Sequence, residues 1–78
     1  MIYLIKQKTL FQHSFELTVL TTASPVALLI EEAERVTGLS RAAFYLKYKD
    51  TDLDFEHPEL PLQVYGIVDG DKIQVRYP

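Results

Sequence analysis

Positions 25 to 37 carry one long helical period, and that period limits what the rest of the chain can build. Val26, Leu29, Ile30, Ala33 and Val36 recur at three- and four-residue steps, with Glu31, Glu32 and Glu34 on the outer side. Both ends are marked. Ser24 is placed to accept orphan backbone donors as an N-cap, and Pro25 at the first helical position sacrifices no hydrogen bond. Gly38 suits a left-handed C′ residue, and Arg35 stands near the C-terminal end, where positive charge is favoured. The other ordered stretches alternate with a period of two, so a sheet with one helix on one face is expected.

Met1 to Gln7 alternates two largely apolar sets: Met1, Tyr3 and Ile5 against Ile2, Leu4 and Lys6. His13 to Leu20 alternates more cleanly, with Phe15, Leu17 and Val19 opposed to Ser14, Glu16 and Thr18. The connection between them falls in residues 8–12. Phe44 to Lys49 is a third strand, with Phe44, Leu46 and Tyr48 against Tyr45, Lys47 and Lys49. Thr51 to Phe55 reads as a short edge strand whose acidic residues discourage edge-to-edge pairing. Pro58 and Pro61 interrupt the next stretch, Leu62 to Ile67 holds one turn of tight helix, and Asp69-Gly70 reverses the chain. In the last strand, Ile73, Val75 and Tyr77 oppose Lys72, Gln74 and Arg76.

Seventy-eight residues predict one domain over 1–78, resting on its core alone because there is no cysteine to cross-link it. No apolar run approaches the roughly 18 residues that span a bilayer, and the start lacks the basic n-region of a signal peptide. A cytoplasmic monomer without membrane contact is therefore expected. A net charge of −3 disfavours a general nucleic-acid binder.

The order strand, strand, helix, strand, short strand, strand is compatible with an α+β β-grasp, although periodicity alone leaves other small α+β folds open. The closing segment Leu62-Gln-Val-Tyr-Gly-Ile-Val-Asp-Gly-Asp-Lys-Ile narrows the choice. It resembles the end of a ubiquitin-like domain, and Gly38-Leu39 follows the helix as ubiquitin's glycine-isoleucine pair does. The resemblance covers nearly the whole chain, with about three extra residues absorbed around His57 to Pro61. It implies a ubiquitin-like roll, a mixed four- to five-stranded sheet packed on one α-helix. Two subgroups fit: the YukD-like small proteins of type VII secretion, and the ubiquitin-like domains of tubulin-folding cofactors. Ubiquitin runs on into a diglycine tail. Here Arg76-Tyr77-Pro78 stands in its place, so a non-conjugated protein is expected.

Candidate chemistry is sparse. Asp50-Thr-Asp-Leu-Asp-Phe-Glu56 has the alternating carboxylates that open a calcium loop, but Phe55 and Pro61 hold the positions that require glycine and glutamate. His13 and His57 are isolated from each other and from other ligands. Ser14, Ser24 and Ser40 lack an arranged base, and three scattered glycines make no phosphate loop. No catalytic residue, metal or cofactor is expected.

A sheet face remains. With Tyr3 and Ile5 turned to the helix, parity sends Ile2, Leu4 and Lys6, then Tyr45, Lys47 and Lys49, then Lys72, Gln74 and Arg76 to the open side. That predicts a basic docking surface formed by Leu4, Lys6, Tyr45, Lys47, Lys49, Lys72, Gln74 and Arg76. Leu4 and Tyr45 would anchor an acidic, partly apolar partner protein while the cations orient it. An ordinary solvated face would also carry such lysines. Ubiquitin's receptors grip an apolar patch on this face, built on an isoleucine, a histidine and a valine; the matching positions here hold Lys47, Gln74 and Arg76. The resemblance thus implies a departure from ubiquitin's own recognition.

A second expectation comes from Tyr48-Lys-Asp-Thr-Asp-Leu-Asp54, which resembles the acidic motif of Phox-and-Bem-type scaffold domains. Those pair head to tail, acidic loop against a first-strand lysine, and Lys6 is the candidate for that lysine. Leu53 replaces the motif's glycine, and Leu60-Pro61-Leu62 replaces its acidic continuation.

Overall fold

In the computed structural model, which describes residues 1–8, 11–53 and 56–76, five strands and one α-helix follow in the expected order. They are β1 (Ile2–Lys8), β2 (Phe11–Leu17), α1 (Val26–Thr37), β3 (Tyr45–Tyr48), β4 (Thr51–Asp52) and β5 (Lys72–Arg76). Tight 3₁₀ turns occupy Arg41–Ala43 and Leu62–Tyr65. The sheet order is β2-β1-β5-β3-β4. The central β1–β5 pair is parallel and the other pairs are antiparallel. This is the mixed-sheet β-grasp arrangement with which the element order is compatible and which the resemblance implies.

One apolar cluster joins helix and sheet. Val26, Leu29, Ile30 and Ala33 of α1 are buried together with Ile2, Leu4, Leu17, Leu46, Ile73 and Val75 of the strands, while Val36 and Phe15 pack at its margin. Fully burying an aliphatic side chain of this size contributes about 1.5–3 kcal/mol relative to exposure. Leu53, inside the acidic run, also belongs to the cluster, and its N–H donates to Leu46 O at 3.0 Å. The run is therefore pinned to the core at its middle.

The helix ends as expected but begins differently. Gly38 adopts φ 72, and its N–H donates to Glu34 O at 2.9 Å. At the other end, Pro25 rather than Ser24 occupies the N-cap, in extended conformation with ψ 156. Ser24 is then one residue too far out to reach the first donors, and its Oγ instead accepts the Thr21 N–H at 3.0 Å. The 57–61 loop takes over the capping. Val26 N–H donates to Leu60 O at 2.9 Å and Ala27 N–H to Pro58 O at 2.8 Å. The 57–61 loop thus lies where the helix needs acceptors.

Two strand expectations are corrected. β2 begins earlier and ends at Leu17, where Leu20 N–H turns back to Leu17 O, so Val19 lies in a turn and is 66% exposed. β1 has the opposite parity. Its register places Leu4 against Phe15 on one side and Ile73 on the other, which puts Leu4 on the helix side and leaves it 0% exposed. Both alternating sets of β1 are apolar, so its own sequence does not choose a face. The clear alternation of β5 does, and the pairing transmits that choice to β1. Expectations for Asp54, Phe55 and Tyr77 fall outside the described residues.

Candidate functional site

The corrected parity redraws the open face. Across the sheet, Tyr3 lies beside Glu16 and Lys72, Ile5 lies beside Ser14 and Gln74, and Gln74 lies in turn beside Lys47. Tyr45 stands opposite Arg76, and Lys47 opposite Asp52 at the β4 edge. Neighbours in register share a face, so Tyr3, Ile5, Tyr45, Lys47, Lys72, Gln74 and Arg76 lie together on the side away from the helix.

Of the eight predicted partner-binding residues, Tyr45, Lys47, Lys72, Gln74 and Arg76 fall on this face. Leu4 does not: it is core, and an anchoring role on the surface is incompatible with its burial. Lys6 has the same parity as Leu4 and is half-buried opposite His13 and Val75, near the end of β1, where a long side chain can carry its charge to the rim. Lys49 has left the strand with φ 55, and its Nζ lies 5.3 Å from the Tyr48 ring centroid, a residue of the helix side. The basic character of the open face therefore rests on Lys47, Lys72 and Arg76, with Glu16 and Asp52 at its two margins.

Tyr3 and Ile5 are the additions. The usable signal was Lys72-Ile-Gln-Val-Arg76, whose polar set is unambiguous, combined with the parallel pairing that only the fold supplies. Tyr45 is 48% exposed, whereas Ile5 is only 6% exposed. Arg76 bends back along its own strand, with Nε and Nη2 donating to Gln74 Oε1 at 3.2 and 2.8 Å. The other two described arginines are engaged near the end of the helix, Arg35 with Glu32 and Arg41 with Glu34.

No catalytic or metal-ligating constellation gathers elsewhere among the described residues. Among the described residues, no three His, Asp or Glu side chains converge as a metal site. His57 Nδ1 lies 3.6 Å from Glu59 on the surface, and His13 is exposed on β2. Ser14 lies opposite Ile5 on the open face, and Ser40 makes no capping hydrogen bond at its 3₁₀ turn. Tyr48 and Asp71 form the one linked titrating pair among the described residues with resolved shifts. The hydrogen bond from the phenol to the carboxylate raises the Tyr48 pKa and lowers that of Asp71. No described helix is long and apolar enough to cross a membrane.

No family model matches the chain, and no curated protein matches it in sequence. Solved structures do match. The ubiquitin-like domain of yeast Ddi1 superposes with TM-score 0.75 at 17% identity, covering 97% of this chain and 85% of that one. Ubiquitin of Caldiarchaeum subterraneum gives TM-score 0.73 at 18% identity, covering 99% and 90%. AtBAG1, crystallised in complex with HSP70, gives 0.69 at 21% identity; the match covers 99% of this chain and only 40% of that one. The fold is the ubiquitin-like β-grasp.

Proposed function

We propose that this chain is a non-enzymatic, non-conjugated protein-interaction module that docks an acidic, partly apolar segment of another protein on its open sheet face. One observation carries this reading: Lys47, Lys72 and Arg76 share a face with Tyr3 and exposed Tyr45 in a chain of net negative charge. Aromatic side chains supply contact area at low entropic cost, and the cations orient an acidic partner and speed encounter. The ubiquitin-like neighbours support a role in protein recognition at the level of fold, and AtBAG1 provides an instance of such a protein in complex with HSP70. An intracellular, cytoplasmic monomer suits the reading.

Self-association through the acidic run draws less support. Asp52 faces Lys47 of the same sheet, Leu53 is committed to the core, and Lys6 has the helix-side parity.

The test is affinity capture with the wild type and with Lys47→Glu/Arg76→Glu. A partner dependent on the face is lost with the charge reversals. A partner retained at full strength by the double variant sinks the proposal.

A further inference from the structure

Ile5 is the one buried apolar residue, among those described, that stands outside the core cluster. It faces away from the helix, in the middle of a surface that is otherwise polar or aromatic. Among the described residues, its register neighbours on that face are Ser14 and Gln74. Gln74 is in turn held by the Arg76 guanidinium through two hydrogen bonds to one amide oxygen. An apolar seat, Ile5, thus lies beside a polar fork on the same face.

Arg76 donates to a neutral amide, although a carboxylate would accept the same two donors in a stronger, charge-assisted geometry. Gln74 would then be free to rotate into water. Opening costs little in hydrogen bonding but exposes Ile5, so it is favourable only when an incoming apolar group covers the seat. Charge and shape recognition are thereby coupled in one movement.

We infer that the open face takes an acidic segment carrying an aliphatic or aromatic side chain beside its carboxylates. A carboxylate draws Arg76 away from Gln74, and the neighbouring apolar side chain docks on the uncovered Ile5. This inference rests on the docking face proposed above and adds the chemistry that the face selects. Charge complementarity chooses the occupant: Lys47, Lys72 and Arg76 surround the seat on the β5 and β3 side.

The experiment uses two synthetic peptides, one with glutamates on both sides of a central leucine and the other with serine in place of that leucine. Each is titrated into the protein while the Ile5 methyl and Arg76 Nε–H resonances are followed. The leucine peptide is expected to shift both resonances and to bind about tenfold more tightly than the serine peptide. Ile5→Ala should erase that preference. Gln74→Ala, which leaves Ile5 in place and frees Arg76, should strengthen leucine-peptide binding about two- to fivefold. If Gln74 were a simple contact, the same variant would weaken it.

Equal affinity for the two peptides, with no Ile5 shift, overturns the inference. If such binding is still lost in Lys47→Glu/Arg76→Glu, the docking face itself survives. Binding indifferent to those charge reversals, or no binding of either peptide, removes the inference together with the face. Ile5 shifts that track protein concentration without peptide would assign the seat to a second copy of the chain and overturn it as well.

Discussion

The Tyr48 hydroxyl at the end of β3 donates to Asp71 Oδ2 just ahead of β5, and that oxygen also accepts the Val68 N–H at 2.8 Å. The carboxylate thus ties strand β3 to the turn that launches the closing strand. Asp71 is held below the usual carboxylate range, chiefly by the Tyr48 hydrogen bond and then by Val68. Its contribution to stability is present above the unfolded-state pKa of about 4 and is lost as pH falls through the lower folded value. Tyr48 is raised, so its contribution is present below about pH 10 and is lost as pH rises through the higher folded value. Tyr48→Phe should lower the urea midpoint near neutrality, and its deficit should shrink under acid conditions. A deficit unchanged from pH 7 to the acid limit of folding would show that the pair does not act in this way.

Parity of β1 has a direct energetic signature. Leu4→Ala empties a fully buried site and should cost about 2–5 kcal/mol. Tyr3→Ser, on the open face, should cost well under half as much. Equilibrium unfolding of the two variants decides the matter, and comparable losses would mean that the strand is assigned to the wrong face.

Gly38 holds φ 72 with open space around the position that a Cβ would fill. Gly38→Ala therefore meets no clash and should cost only the backbone penalty of the left-handed conformation, about 1–2 kcal/mol. Gly38→Asn should cost less, because asparagine tolerates that region better. Thermal unfolding that ranks Asn below Ala would contradict the account.

Capping by the 57–61 loop can be read from hydrogen exchange. The Val26 and Ala27 amides should be protected in the native protein, since they donate to Leu60 and Pro58. Deleting residues 58–60 should expose both while the centre of α1 keeps its protection. If Ser24→Ala produced the same loss with the loop intact, the side chain and not the loop would be the effective cap.

Ordinary ubiquitin-binding modules should give no saturable shifts at Lys47 and Arg76 at micromolar concentrations. Those modules bury an apolar patch, and burying two unpaired cations costs more than the surrounding contacts return. Tight binding to this face by such a module would falsify the claim that its recognition has diverged.

Where one set of side chains in an element is clearly apolar and the other clearly polar, the primary structure was legible. The amphipathic face of α1, the parity of β3 and β5, the tight turn Leu62–Tyr65 and the left-handed Gly38 all followed from local pattern. Two features that shape the helix entry and the site resisted. β1 is apolar on both sides, so its face was invisible without its partners. Ser24 has the chemistry of a cap, but the position of Pro25 puts it one residue out of reach. The candidate site inherited the first error: Leu4 was expected on the surface, and Ile5 was missed.

The sequence by itself determined one amphipathic helix among alternating strands and the charge that the polar strand positions would carry, because both depend on periods within single elements. The β-grasp expectation also needed the resemblance of the closing segment. Tertiary structure decided which face of β1 joins the open surface and which acceptors cap the helix. It also decided whether Arg76 stands free or folded onto Gln74. These are choices between locally equivalent arrangements, and contacts between segments distant in the chain settle them. The position of Ile5 beside Gln74 belongs to the same class, since the parallel register with β5 brings the two together.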